Sequence, residues 1–361
     1  MKDKLIILFL STLSLFIGSC HNATEPDDGQ VMLTGKIVFT SSFSGETIIY
    51  TINPDGTDLK QLVTAPVITF GSPKWSPDGT QIAFLGRSPY TSYGAIYLMN
   101  ADGSNVHLLP VVPGNLADAR FPEWSPDGNK IAFTNFSFNV EYNVIVSLTD
   151  GNVLNLTNNN NKIIDNYPKW SPDGEKIAFL SNRDYINDND KRTDLYIMDA
   201  NGKNVKRLTE IGGNLNYVWY PPDQSIILSV NDVNGNKANK GIYKIDTTGN
   251  IRILYGQKGP DGLAVSNDGK HLVFSTSGQL TVINLPVVTS DIQVIFPTNA
   301  TDLRFRPVAW SSDDKALLVL SSDYGSNHFY LDMINIYTNK DNRTLKRLLE
   351  NDKIWGADWH K

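Results

Sequence analysis

The 361-residue chain contains a single cysteine, Cys20, so no disulfide can form within it. It has no long run of lysine and arginine, and its 38 acidic residues outnumber its 32 basic ones. This balance argues against the basic surface that nucleic-acid binding requires. No Gly-x-Ser-x-Gly segment occurs, so the nucleophile elbow of an α/β-hydrolase domain is not expected.

Long apolar runs are also missing, except at the N-terminus. Lys2 and Lys4 precede an apolar run over residues 5–17, which is too short to span a bilayer comfortably and is typical of an export signal. The segment 17–20, Ile-Gly-Ser-Cys, resembles the lipobox of bacterial lipoproteins. The resemblance implies cleavage before Cys20 and diacylglycerol on its thiol. An ordinary signal peptide with an incidental cysteine is the alternative.

We therefore predict a lipoprotein signal peptide over residues 1–19, then lipidated Cys20 and a flexible, acidic tether over residues 20–32. The lipid on Cys20 would anchor the protein in the cell envelope. The expected location is the outer membrane, with the folded part facing the periplasm or the cell exterior.

The rest of the chain is organised by one repeated phrase. Residues 168–179 read Pro-Lys-Trp-Ser-Pro-Asp-Gly-Glu-Lys-Ile-Ala-Phe, and close copies occupy residues 73–84 and 122–133. Degraded copies continue the series at intervals of 45–49 residues. The register position is held by Trp75, Trp124, Trp170, Trp219, Val265, Trp310 and Trp359. Such internal repetition decides the architecture before any other feature does.

Each period contains the pattern of four short strands. Residues 176–180, 194–198 and 204–208 are alternating or β-branched apolar runs bounded by Gly, Asn and Asp. The turn Ser171-Pro172-Asp173-Gly174 places proline and glycine where a tight hairpin needs them. Four strands in about 45 to 50 residues are typical of a propeller blade.

The two ends of the repeat region complete each other. Residues 36–39, 47–52 and 58–62 supply strands two to four of a blade, and residues 355–359 supply a first strand. We predict an all-β fold over residues 33–361: a seven-bladed β-propeller of four-stranded antiparallel blades. It is closed by pairing the C-terminal strand with the N-terminal blade, which leaves no open edge between the first and last blades.

The phrase Trp-Ser-Pro-Asp-Gly-x-x-Ile-Ala-Phe, with the Tyr-Ile-Met-Asp-x-x-Gly at residues 196–202, resembles the WD-like repeat of the TolB family of β-propellers. The resemblance covers the chain from residue 33 and implies the propeller fold. TolB itself also carries an N-terminal α/β domain for which this sequence shows no counterpart, so its partners are not carried over.

The repeated residues are interpreted as scaffold: the tryptophans pack between blades, and Asp78, Asp127 and Asp173 hold backbone N–H groups in turns. The tight turns share one face, so the long connections lie on the other, which we call the long-loop face. Four residues before each register position, the chain enters its innermost strand near that face. These positions give the candidate ligand-binding residues Arg120, Asn166, Asp261, Arg306 and Trp355.

Such a group of side chains could bind a carboxylate, a sugar or a peptide terminus. Alternatively, these side chains could form hydrogen bonds and ion pairs only with water and with one another. We expect a monomeric binding or scaffold module for a protein or glycan ligand, with no catalytic residues, metal or cofactor. The five histidines, His21, His107, His271, His328 and His360, show no metal-ligand spacing. A uronate lyase-like enzyme and a structural docking component remain alternatives, as does calcium binding by the loop from Asp184 to Asp194.

The lipoprotein prediction is tested by Cys20→Ser. Serine removes the thiol that accepts the diacylglycerol, so the variant should lose incorporation of labelled palmitate and leave the membrane fraction. A variant that stays membrane-bound and still carries the lipid label would contradict the assignment.

Overall fold

The computed structural model describes residues 34–360 except for 44–45, 63–67, 88–93, 111–117, 138–139, 148–150, 158–162, 186–191, 234–239, 257–260, 277–278, 286–291, 297–302, 324–328, 337–344 and 352–353. The signal peptide, Cys20 and the tether lie outside these residues and stay predictions. Within the described ranges, no helix has the length and apolar content needed to cross a membrane.

The described chain forms 28 strands and one short 3-10 helix at Pro221–Asp223. The strands of the first half are β1 (Lys36–Phe43), β2 (Glu46–Ile52), β3 (Lys60–Gln61), β4 (Ile68–Trp75), β5 (Gln81–Arg87), β6 (Ala95–Asn100), β7 (His107–Leu108), β8 (Asp118–Trp124), β9 (Lys130–Ser137), β10 (Val140–Ser147), β11 (Val153–Asn155), β12 (Asp165–Trp170), β13 (Lys176–Ser181), β14 (Asp194–Asp199) and β15 (Lys206–Arg207). The remaining strands are β16 (Gly213–Tyr220), β17 (Ser225–Val233), β18 (Gly241–Ile245), β19 (Ile251–Tyr255), β20 (Asp261–Val265), β21 (His271–Thr276), β22 (Gln279–Asn284), β23 (Ile292–Phe296), β24 (Leu303–Trp310), β25 (Ala316–Asp323), β26 (Phe329–Asn335), β27 (Leu345–Asn351) and β28 (Ile354–His360).

These strands form seven four-stranded antiparallel sheets in the part of the chain that the structure describes. Sheet 1 joins β28 to β1, β2 and β3, and sheets 2 to 7 each consist of four strands that follow one another in the chain. The strand that carries the register position lies at one edge of its sheet and contacts the corresponding strand of the next sheet. We call these seven strands the inner strands: β4, β8, β12, β16, β20, β24 and β28. The predicted all-β propeller with four-stranded antiparallel blades is confirmed.

Sheet 1 is built from both ends of the described chain. In the pairing of β1 with β28, Ile37 lies opposite Trp359 and Phe39 lies opposite Ala357. The indole N–H of Trp359 donates to the carbonyl oxygen of Thr34 at 3.2 Å. Inner strand β28 also contacts β4 of sheet 2 and β24 of sheet 7. Sheet 1 therefore packs against the sheets on either side of it.

The Ser-Pro-Asp-Gly turns are held by a repeated hydrogen-bond pattern. In sheet 4, the buried Ser171 hydroxyl donates to Asp173 at 2.5 Å and accepts the Lys176 N–H at 2.9 Å, while Asp173 accepts the Glu175 N–H at 3.0 Å. The equivalent Ser76 hydroxyl lowers the pKa of Asp78, helped by the Thr80 N–H. The scaffold interpretation of these aspartates is confirmed.

The motif tryptophans link one sheet to the previous one. The indole N–H of Trp124 donates to the Lys74 carbonyl oxygen at 3.2 Å, and that of Trp170 donates to the Glu123 carbonyl oxygen at 3.2 Å. Trp219 repeats the bond with Lys169 at 3.0 Å. Each indole is buried and contributes a few kcal/mol, about 2 to 3, by removing its ring from water. The tryptophans thus fix both the packing and the relative level of neighbouring inner strands.

Glycines in the turns between strands three and four allow another inter-sheet contact. Gly103 has a left-handed φ of 89°, and a Cβ atom at this position would lie 2.6 Å from the Leu62 carbonyl oxygen of the preceding sheet. Gly249 occupies the equivalent turn of sheet 5 with a φ of 96°, but a Cβ atom there would meet nothing within 4 Å. The two glycines therefore share a backbone requirement and differ in their surroundings.

This difference predicts unequal effects of alanine substitution. Gly249→Ala should cost about 1 kcal/mol through backbone strain alone, whereas Gly103→Ala should cost about 1 to 3 kcal/mol more because its methyl group strikes the backbone. Urea unfolding midpoints of the two variants measure the difference. Equal losses would show that the turn of sheet 2 does not pack against sheet 1 as described.

Candidate functional site

The residues predicted to line the channel mouth all lie on inner strands. Arg120 on β8 and Arg306 on β24 are exposed, and Asn166 on β12 is half-buried. Asp261 lies on β20 and Trp355 on β28, but their side chains are outside the described part. Arg120 and Asn166 therefore occupy neighbouring inner strands, and Arg306 lies three strands further round. Their ligand-binding role stays a prediction.

Immediately after these positions, several inner strands are interrupted by a β-bulge. In β8 and β12 the regular pairing breaks between Arg120 and Glu123 and between Asn166 and Lys169. The residue that follows the mouth position adopts a left-handed φ of 54 to 78° in five inner strands: Ser72, Phe121, Tyr167, Gly262 and Gly356. Bulges bend a strand and redirect its side chains, and they are frequent beside functional sites.

Two of these bulges present aromatic rings. The ring centroids of Phe121 and Tyr167 are 4.1 Å apart, and Tyr167 is 43% exposed. The buried Tyr217 hydroxyl donates to the carbonyl oxygen of Tyr167 and lies 2.9 Å from that of Ala178, so the bulge of β12 is held from the neighbouring sheet. We call Phe121 and Tyr167 the aromatic pair. Such a partly exposed pair can stack against a sugar or another flat group.

A second set of side chains lies one residue before the register position. Asp358, Lys74, Glu123 and Lys169 occupy four successive inner strands, β28, β4, β8 and β12, with alternating charge. We call them the charged arc. The other three inner strands carry Val218, Ala264 and Ala309 at this position. At this level four successive inner strands therefore carry charged side chains, and the other three carry apolar side chains that belong to the packing between sheets.

Asp358 and Lys74 form the first pair of the charged arc. The Lys74 Nζ lies 3.6 Å from Asp358 Oδ1, and Asp358 Oδ2 accepts the Trp75 backbone N–H at 2.9 Å. The Asp358 carboxylate raises the pKa of Lys74, and Glu123 adds to this effect, whereas burial and Arg306 oppose it. Lys74 therefore stays protonated at neutral pH.

Lys169 is the unusual member of the arc. The pKa of its amine is lowered to about 8, mainly by burial; Glu123 opposes this shift, and the positive charges of Lys74 and Arg306 contribute to it. The Lys169 Nζ donates to the Tyr217 carbonyl oxygen at 2.7 Å and lies 5.2 Å from the centroid of the Tyr217 ring. Among the described side chains, these interactions connect three cations and two carboxylates, an excess of one positive charge in a chain of net charge −6.

Sequence reasoning missed the charged arc and the aromatic pair. The signal for the arc was inside the repeated phrase, since Pro-Lys-Trp, Pro-Glu-Trp and Ala-Asp-Trp all place a charge just before a buried tryptophan. A charged side chain in an innermost strand can reach water only through the channel, so a charge just before the tryptophan indicates a residue at the channel.

The histidines lie on separate sheets. His107 belongs to sheet 2, and His271 of sheet 6 has its Nδ1 atom 2.9 Å from Asn284 Oδ1. His360 of sheet 1 packs against Trp75 with a centroid distance of 5.6 Å. His21 and His328 lie outside the described residues. Within the described ranges, no group of three or more His, Cys, Asp or Glu side chains is arranged to hold a metal ion.

The acidic loop begins and ends on carboxylates that protein groups already engage. Asp194 is fully buried and accepts hydrogen bonds from Tyr185, Arg207, Thr209 and two backbone N–H groups at 2.6 to 3.0 Å. Asp184 pairs with Arg207 at 3.0 Å. Residues 186–191 lie outside the described residues, so calcium binding by this loop stays an untested alternative to a solvated loop.

The electrostatics of Lys169 predict an unusual pH profile of chemical labelling. The rate of acylation at Lys169, followed by peptide mass spectrometry, should have its midpoint near pH 8 because the deprotonated amine is the nucleophile. Glu123→Gln should move the midpoint down, and Arg306→Gln should move it up. A midpoint at the ordinary lysine value of about 10.4 would contradict this description.

The comparisons with known proteins agree with this architecture. No curated protein sequence matches the chain. Among solved structures, an oligogalacturonate lyase in complex with manganese has a TM-score of 0.62 at 16% identity, over 79% of this chain and 82% of the lyase. TolB from Acinetobacter baumannii has a TM-score of 0.53 at 16% identity, over 90% of this chain and 82% of that one. Prolyl endopeptidases have a TM-score of 0.61 at 12% identity, over 91% of this chain and 50% of theirs.

At these identities the structural likenesses show the fold alone. The profile of the TolB beta propeller domain matches residues 121–345, which is more than half of the chain. The resemblance noted in the repeated phrase is confirmed, and the chain belongs to the TolB beta propeller domain family.

Proposed function

We propose that the protein is a non-enzymatic binding module of the cell envelope that holds a protein or glycan ligand at the long-loop face and channel mouth. The observation that carries the proposal is the aromatic pair, held in bulges of two neighbouring inner strands directly after Arg120 and Asn166. A flat ligand group would stack on Tyr167, and Arg120 would bind a carboxylate or hydroxyl group beside it.

Backbone strain supports this location. Two other bulges have glycine at the left-handed position, Gly262 and Gly356, where the conformation costs little. Phe121 and Tyr167 adopt it with bulky side chains, at a cost of about 1 kcal/mol each or more. Neither ring is required by the repeated scaffold, since the equivalent residue differs from sheet to sheet. A role of the two rings in ligand binding would explain why this backbone strain at Phe121 and Tyr167 is retained.

The proposal includes a closed ring of seven blades, anchored through lipid on Cys20 and acting as a monomer. The contacts of β28 with both β4 and β24 support closure of the ring. A flexible tether over residues 20–32 would let the long-loop face turn toward a ligand at some distance from the membrane.

Two other functions compete with this one. The likeness to an oligogalacturonate lyase raises the lyase alternative, but the described histidines lie on three different sheets and give it no further support. A lateral docking role is favoured by β19, an outer edge strand on which Ile251 and Ile253 are 49% and 58% exposed. Such an apolar edge can pair with a partner protein.

The proposal is tested on glycan and peptide arrays with the wild-type protein, Arg120→Ala and Tyr167→Ala. A ligand found on either array should bind each variant about tenfold more weakly, the loss expected for one charge-assisted hydrogen bond or one stacked ring. Arg252→Ala, which removes an exposed arginine from the distant strand β19, is the matched control and should bind normally.

Unchanged binding in both mouth variants would place the ligand elsewhere. Absence of any ligand on the two arrays would reject the channel mouth and favour lateral docking through β19.

A further inference from the structure

We propose a second binding site within the channel, formed by Lys74, Lys169 and Arg306, that takes a small multivalent anion bearing phosphate or carboxylate groups. Lys74 and Lys169 lie three residues further along the inner strands than the mouth positions. The site goes beyond the proposed function, because it would bind its anion whether or not the mouth holds a peptide or a glycan.

The backbone places the two lysines at one level. Trp124 bonds to the Lys74 carbonyl oxygen, Trp170 to that of Glu123 and Trp219 to that of Lys169, at 3.0 to 3.2 Å. Three successive inner strands are therefore held in the same relative register at this position. Lys74 and Lys169 flank Glu123, whose carboxylate interacts with both amines.

Arg306 approaches the same region from β24. Its stem lies beside Gly262 of the neighbouring strand β20, where an added Cβ atom would be 3.5 Å from Arg306 Cγ. Its positive charge lowers the pKa of both Lys74 and Lys169, so the guanidinium interacts electrostatically with the two amines. Among the described residues, the Arg306 guanidinium forms no ion pair.

The carboxylates present do not balance these cations. Asp358 is engaged by Lys74 and by the Trp75 N–H. Glu123 then remains as the carboxylate that acts on Lys169. Among the side chains that the structure describes, three are positive and two are negative, which leaves one positive charge to be matched from solution. An anion supplies the matching negative charge.

The donor chemistry favours an anion with several oxygen atoms. Lys169 donates one N–H to Tyr217, which leaves two donors, and Arg306 offers a planar fork suited to phosphate or carboxylate. Because these groups come from different strands, one bound anion must accept from more than one direction. Phosphate and dicarboxylates meet this requirement better than a monocarboxylate.

The charge state of Lys169 gives the site a characteristic pH dependence. A bound anion interacts more favourably with the protonated amine, so binding should weaken as the pH rises through about 8. Glu123, Lys74 and Arg306 are the charged groups that act on this amine, Asp358 pairs with Lys74, and Tyr217 lies against the amine. By linkage, the anion should in turn raise the pKa of Lys169.

The test is calorimetric titration of the protein with inorganic phosphate, succinate and acetate at constant ionic strength. At least one of the two multivalent anions should bind with a Kd about tenfold below that of acetate, and its Kd should be about tenfold higher near pH 9 than near pH 7. The same anion should shift the midpoint of Lys169 acylation upward. Comparing the titrations with phosphate and with succinate shows whether the site prefers phosphate or carboxylate groups.

Two variants and one control complete the experiment. Lys169→Gln and Arg306→Gln should each raise the Kd about tenfold or more, whereas Lys203→Gln, at an exposed turn of sheet 4, should leave it unchanged. Arg306 is exposed, so its variant decides the outcome if Lys169→Gln does not fold. Binding of neither multivalent anion above acetate, or unchanged binding in the variants, would overturn the proposal. Because no glycan or peptide is used, this failure is distinct from failure at the channel mouth.

Discussion

The structure depends on the hydrogen bonds that four motif indoles, those of Trp124, Trp170, Trp219 and Trp310, donate to the preceding sheet. A single four-stranded sheet cannot bury its apolar faces, and the tryptophan both covers its neighbour and fixes the level at which the two meet. The acceptor is the carbonyl group of the residue just before the previous register position: Lys74, Glu123 and Lys169 in three successive sheets. The bond that assembles the propeller therefore also places the charged arc.

The mouth of the channel follows a different rule. Three residues before the register position, five inner strands leave the extended conformation. A bulge of this kind bends a strand and redirects its side chains. The residue at the bulge itself changes from serine to aromatic to glycine around the ring. The repeats of this chain keep tryptophan at most register positions, whereas the residue at the bulge differs between them. The side chains at the mouth can therefore differ without loss of the packing between sheets.

Much of the fold could be predicted from the sequence because the regular spacing of the repeated tryptophans marks the same position in each blade. The hairpin turns, the inner strands and the closing strand over residues 355–359 were located from the spacing alone. Side-chain direction was not, because it depends on the φ of single residues such as Phe121 and Tyr167, which no pattern of apolar residues encodes. Gly262 and Gly356 at the same position were the available hint. Leu215, at a mouth position, packs in the core instead, since sheet 5 breaks its pairing one residue earlier.

The seam between sheets 1 and 2 joins stability to the charged arc. Here the indole pattern stops: Trp359 bonds to Thr34, and the buried indole N–H of Trp75 has no partner among the described residues. Asp358 takes over the connection, because it accepts the Trp75 backbone N–H and pairs with Lys74. The Asp358 carboxylate, which joins β28 of sheet 1 to β4 of sheet 2, is thus also the group that neutralises Lys74. An anion that attracts Lys74 must compete with Asp358, so occupancy of the channel and the stability of this seam are coupled through one ion pair.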